Sequence, residues 1–175
     1  KISTPNLNSL AEEGMRFTDA HTNSSVSSPS RYGILTGRYA WRTRLKSGVL
    51  VEPGAKPLIK PDRLTLPAML KKSNYHTACI GKWHLGIEWS RNEEGEADFN
   101  RPFLSAPNDV GFDYSFVIPT SLDMIPYAYY ENNKPVQPVT DTQPRVNFPR
   151  YIRESPKAKG FEHSKVLDRL TNKSV

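Results

Sequence analysis

One cysteine, no long apolar run and few apolar residues overall are the shortages of this sequence, and each excludes something. Cys79 has no second thiol to pair with, so a disulfide-stapled scaffold is excluded, while the compartment stays open. No stretch approaches the ~18 consecutive apolar residues of a membrane-spanning helix. The first residue is Lys1, without the methionine and charged-then-apolar leader of a precursor start. Apolar side chains make up only 37% of the 175 residues, which predicts a thin core. The formal charge is +6, but the basic residues are spread out. Their closest clusters, Arg38 to Lys46 and Arg145 to Arg153, lack the run of like charges that marks a nucleic-acid arm. Charge alone assigns no partner.

Helix and strand signals alternate in the first half of the chain. Thr4 can cap a helix that opens on Pro5, repeats Leu7, Leu10 and Ala11 at helical spacing and stops at Gly14. Met15 to Ala20 then alternates apolar and polar residues, which predicts a short half-buried strand. Ser28 and Pro29 read as the cap and first turn of a second helix running through Ile34 and Leu35 to Gly37. After Thr65, the residues Leu66, Met69 and Leu70 form a helical stripe broken by Ser73 and Asn74, and Tyr75 to Ile80 runs extended into Gly81. Such alternation argues for α/β layers. From about residue 88 to 160 the many prolines predict loops carried on a scaffold, with a last helix beginning near Glu162 to Leu170. So few strands cannot close a doubly covered sheet, so the expectation is a partial N-terminal catalytic domain over 1–175.

The most informative segment is Ser27-Ser28-Pro29-Ser30-Arg31-Tyr32-Gly33-Ile34-Leu35-Thr36-Gly37-Arg38. A hydroxyl sits just before a helix whose free N–H groups and positive dipole end attract an anion. Arg31, four residues later, lies on the same face and can reach back to Ser27 or its ligand. An ordinary Ser-rich loop before a capped helix explains these features equally well. A second segment, Ile80-Gly81-Lys82-Trp83-His84-Leu85-Gly86, leaves an apolar strand for a glycine-bounded turn, where ligand sites of open α/β sheets lie. In extended geometry Lys82 and His84 face one side and Trp83 the other. A surface lysine and a hydrogen-bonded core histidine are the alternative.

The first segment resembles the sulfatase signature: Cys or Ser, any residue, Pro, Ser, Arg, three residues, Leu, Thr, Gly, often then Arg. Gly81-Lys82-Trp83-His84-Leu85-Gly86 is similar to the second signature of that family. Thr4-Pro5-Asn6-Leu7 through Phe17-Thr18-Asp19-Ala20-His21 looks like its first helix and next strand, and Gly111-Phe112-Asp113-Tyr114 resembles the stretch after the lysine–histidine strand. Ile118-Pro119-Thr120-Ser121 resembles a loop where some members place a serine near the substrate sulfate.

The resemblance implies an alkaline-phosphatase-like α/β fold with a mostly parallel central sheet covered by helices, and hydrolysis of a sulfate monoester, a carbohydrate sulfate in particular. It nominates Ser27 as the residue oxidised to formylglycine and as a calcium ligand. Arg31 and His84 are the further catalytic residues it implies, and Lys82 and Ser121 the substrate-binding ones. Asp123 and Tyr127 are weaker candidates for the leaving-group pocket. Most calcium ligands of the family have no counterpart among these residues, which implies that residues 1–175 alone are inactive.

Plain serine would leave a stable sulfate ester on the enzyme. Hydrated formylglycine avoids this, since one hydroxyl attacks sulfur and deprotonating the other expels sulfate and regenerates the aldehyde. His84 is the expected base. Serine at position 27 fits either a native serine-type signature or a replacement of cysteine that prevents maturation. Implied partners are a sulfated small molecule or glycan and a formylglycine-generating enzyme, with no nucleic acid and no membrane span, and an exported location. The alternatives are a phosphatase or phosphonate-ester hydrolase of the same superfamily and a noncatalytic binder of sulfated polymer. Asn23-Ser24-Ser25 and Asn172-Lys173-Ser174 fit glycosylation sequons.

Overall fold

A computed structural model describes residues 2–51, 54–105 and 107–175. In chain order the elements are α1 (Pro5–Glu13), α2 (Ser27–Thr36), α3 (Leu66–Lys71), β1 (Ala78–Lys82), β2 (Tyr114–Ile118), β3 (Tyr130–Glu131), β4 (Lys134–Pro135), β5 (Val139–Gln143), β6 (Ser155–Ala158) and α4 (Val166–Ser174).

The two threonine-led helices turn out differently. α1 opens on Pro5 and stops at Gly14, but Thr4 makes no capping bond and no residue of the helix is buried. Residues 2–22 are exposed throughout, and Met15 to Ala20 is not a strand. A strand needs a neighbour for its N–H and C=O groups, and no described residue pairs with this segment. Thr65, by contrast, is buried and caps α3, accepting from the Ala68 amide at 3.3 Å while its hydroxyl donates to the Val110 carbonyl.

β1 to β4 form one four-stranded sheet. β1 and β2 run parallel, with Ala78 opposite Tyr114 and Lys82 opposite Ile118. β3 and β4 add an antiparallel hairpin on the far side of β2, turning at Asn132 with φ 53°. Parallel character thus resides in one pairing, and the sheet is mixed. Phe116 and Val117 of β2 are fully buried, as a central strand covered on both faces requires. α4 covers one face with charge over rings: Arg169 lies 5.0 Å from the Tyr129 ring centre and Lys173 5.0 Å from that of Phe116. It starts at Val166, after a 3₁₀ turn over His163–Lys165. On residues 88–160 the structure places five short strands among the loops, β5 and β6 pairing separately as a two-stranded ribbon.

Asp113 ties the parallel pair at its start. Its carboxylate accepts from the Thr77 amide at 2.9 Å and pairs with Lys71 at 2.7 Å. These bonds, the Lys71 one first, pull its pKa down to about 2.

Candidate active site

α2 and the carboxyl end of β1 meet at one place, and the four side chains singled out in the sequence meet there. α2 starts at Ser27, two residues earlier than a Ser28 cap with Pro29 in the first turn predicts, because extended Val26 already supplies the first carbonyl, to the Ser30 amide at 3.2 Å. It ends at Gly37, whose φ of 65° lets its amide return to the Gly33 carbonyl at 2.8 Å. Ser27 therefore occupies the first turn, where the helix dipole favours an anion.

β1 stops at Lys82, so simple alternation along a strand does not carry His84. His84 instead has φ 58°, a left-handed conformation costing roughly 1–3 kcal/mol unless its surroundings hold it. They do hold it: its amide donates to the Pro119 carbonyl at 2.9 Å, and its carbonyl accepts from Ser28 Oγ at 2.9 Å. Beyond it, Gly86 at φ 83° lies where a Cβ would fall 2.2 Å from the Lys56 carbonyl oxygen, so only glycine fits this turn.

The imidazole of His84 is 2% exposed and engaged at both nitrogens. Nε2 lies 2.7 Å from the Leu50 carbonyl, which can only accept, so this nitrogen carries the proton. Nδ1 of the neutral ring is then an acceptor, and Ser27 Oγ donates to it at 2.8 Å. Burial pushes the His84 pKa below its usual value of 6.5, and Lys82 and Arg31 push the same way, opposed by the Leu50 carbonyl and Asp123. The ring stays neutral near pH 7 with its lone pair on Ser27.

Two cations flank this pair. Arg31 donates through Nη1 to the Lys82 carbonyl at 2.6 Å, and its Nε is buried with no partner among the described residues. Lys82 donates through Nζ to Ser121 Oγ at 3.2 Å. Burial lowers the pKa of each, and the Arg31 charge lowers that of Lys82 further. An orphaned guanidinium nitrogen, an ammonium and a helix N-terminus around one hydroxyl make a place for a dispersed anion.

Other candidates fall elsewhere. Asp123 is half-buried and close enough to Lys82 and His84 to act on both electrostatically. The Tyr127 hydroxyl donates to the Arg153 carbonyl at 3.1 Å, its side chain is buried, and burial raises its pKa to about 12. His21 is exposed and paired with Asp19 at 2.6 Å. Asn23 is half-buried and donates its amide to the Pro29 carbonyl at 2.9 Å, which makes it a poor glycan acceptor. Cys79 is a free thiol whose pKa burial raises to about 11, an inert group.

Sequence reasoning missed Leu50 and Ser28. Leu50 acts through a backbone carbonyl, which no side-chain pattern reveals. Ser28, completely buried, donates to the His84 carbonyl and accepts from the Leu50 amide at 3.2 Å, yet it fills the signature position where any residue is allowed.

The described residues do not fit a calcium ion by themselves. A calcium site needs six to eight oxygen ligands. Ser27 supplies one, Arg31 and Lys82 repel a cation, and no three His, Cys, Asp or Glu among the described residues gather at one point.

An α/β layer with a hydroxyl, an imidazole and two cations at the carboxyl end of its parallel strands places the candidate site where open-sheet proteins carry theirs. The chain belongs to the sulfatase family, whose model matches residues 1–167. It is 37% identical over 162 residues to N-acetylgalactosamine-6-O-sulfatase of Bacteroides thetaiotaomicron, covering 89% of this chain and 29% of that protein. Human arylsulfatase G is 40% identical over 122 residues, covering 69% of this chain and 20% of its own length. A solved structure from work on the metabolism of multiple glycosaminoglycans by Bacteroides thetaiotaomicron superposes with a TM-score of 0.78 at 29% identity, over 99% of this chain and 42% of that one. The chain thus spans under a third of the curated relatives' length. No helix among the described residues is long and apolar enough to cross a membrane.

Proposed function

We propose that the protein hydrolyses a sulfate monoester carried by a carbohydrate, with position 27 bearing the nucleophile. The observation that carries this reading is the 2.8 Å bond from Ser27 Oγ to His84 Nδ1, with the opposite nitrogen of the ring fixed on Leu50. A proton leaving the oxygen at position 27 has a lone pair waiting, and the Leu50 carbonyl stabilises the imidazolium that results. Arg31 and Lys82 hold the sulfate oxygens and offset the charge that builds on them, while Ser121 keeps the Lys82 ammonium aimed at the site. Formylglycine made from Ser27 by a maturation enzyme would supply, as its hydrate, one hydroxyl whose attack on sulfur displaces the sugar alcohol and a second whose deprotonation breaks the C–O bond to sulfate, freeing sulfate and restoring the aldehyde. The position fits that group, because Nδ1 can accept from one hydroxyl while the dipole of the helix N-terminus favours negative charge on the other oxygen. Calcium belongs to this reading only with oxygen ligands other than those described, and no step is assigned to it. A sulfated glycan as substrate suits an exported protein.

The test is a matched pair of sulfate and phosphate monoesters of one sugar, turned over by the full chain, with a peptide mass across Ser27. Sulfate preference and a loss of two hydrogens at Ser27 are expected. Preference for phosphate overturns the reaction, and active enzyme with unmodified Ser27 overturns the formylglycine route.

A further inference from the structure

The other end of α2 holds a second concentration of positive charge. Ten residues of helix at about 1.5 Å each put it roughly 15 Å along the axis from Ser27. Arg38, Arg42, Arg44, Lys60 and Arg63 line a cavity of about 400 Å³ there, together with Tyr39, and none of the described residues lining it is acidic. None of the five cations takes part in a salt bridge among the described residues. Arg44 is committed to structure, since it donates to the carbonyls of Lys56 and Pro57. Arg63 buries its Nε without a partner among the described residues, and Arg42 lies 5.1 Å from the centre of the Trp41 ring. Like charges gathered with no acidic residue among the described residues of the lining repel one another, so the arrangement favours an anion.

The shape points to an extended one. A second cavity of about 690 Å³ shares Arg38 and Tyr39 with the first and continues past Asn23, Thr22 and His21, with no acidic residue among the described residues of its lining and Asp19 held on His21 beside it. Tyr39 and Trp41 stack at 5.9 Å beside the cations, and each is 53% exposed. Flat rings at the water surface next to guanidinium forks suit a chain of sugar rings that carry anionic groups.

We propose that this groove binds sulfate groups of a sulfated polysaccharide remote from the ester that is cleaved. The choice of sulfated glycan over other polyanions rests on the function proposed above. The groove thereby holds a polymer while its terminal or side-chain sulfate lies at Ser27.

Binding read without turnover tests this even if the proposed reaction is wrong. A fluorescently tagged sulfated octasaccharide is titrated into the full chain and its Arg42→Gln/Lys60→Gln variant across a salt series, with Arg42→Lys/Lys60→Arg as the charge-retaining control. Both positions are exposed, so the fold has little to lose. The neutral variant should bind at least tenfold more weakly, with a slope of log affinity against log salt smaller by roughly one to two. The control should bind like the parent. Parent-like affinity in the neutral variant overturns the groove, as does complete loss of binding on Lys82→Ala. Equal or tighter binding of a single-stranded DNA of matched charge overturns the glycan assignment.

Discussion

The chain contains the same local grammar twice: a threonine-led helix hands over to an extended segment at residues 4–20 and again at 65–82. In the second passage Thr65 caps its helix, and β1 pairs with β2 and delivers Lys82 and His84 to the site. In the first, Thr4 caps nothing, and Leu7, Leu10, Met15 and Phe17 all stand exposed. The amphipathic pattern is present in both. A pattern only states which face is ready for burial: even in the second passage Leu66 and Met69 stay exposed, and what sets it apart is its bonding to β2 and the Val110–Asp113 turn through Thr65, Thr77 and β1.

The comparison can be broken at several strengths. The largest effect is expected at the functional end of the second passage, where His84→Ala in the full chain should lower kcat/KM for a sulfate ester by about 100- to 10,000-fold. A loss below tenfold would remove His84 as the base. Next comes burial: Phe116→Ala in β2 should destabilise by about 3–5 kcal/mol in urea unfolding of residues 1–175. Thr65→Ala should cost about 1 kcal/mol through the lost cap and more for the abandoned Val110 carbonyl, while Thr4→Ala should be nearly silent.

Acidity separates the passages more gently. The lowered pKa of His84 means that the unfolded chain takes up its proton first as pH falls, so its contribution is intact above about 6.5 and is lost as pH drops through the lower folded value. The acid limb of kcat/KM should accordingly lie below 6.5. Asp113 adds a later loss, between its ordinary 3.8 and about 2, readable as a stability decline in acid titration. The smallest effect is expected at Leu10→Ala, within about 0.5 kcal/mol in residues 1–175. A loss above about 2 kcal/mol there would mean that α1 is buried after all.

Much of the candidate site was legible because its parts lie in two short segments with distinctive residue types. Ser27 and Arg31 are one helical turn apart, and Lys82 and His84 flank a single tryptophan. That the two segments meet was not legible from spacing, since 51 residues separate Arg31 from the Lys82 carbonyl it binds. The strand at Met15 to Ala20 was misread because alternation records a preference without its partner. His84 was placed on the right side for an incomplete reason, its position depending on a left-handed turn held by Pro119 and Ser28.

By itself, the sequence determined which segments become helices, the glycine turns and the reactive side-chain types, because these depend on neighbours within a few residues. Only the tertiary structure decided which nitrogen of His84 carries its proton, which extended segment finds a strand partner and where the cations collect. Those depend on a backbone carbonyl at Leu50, on the β1–β2 pairing and on side chains from 38 to 63 converging beside α2, and each is a contact between segments that local preferences leave independent.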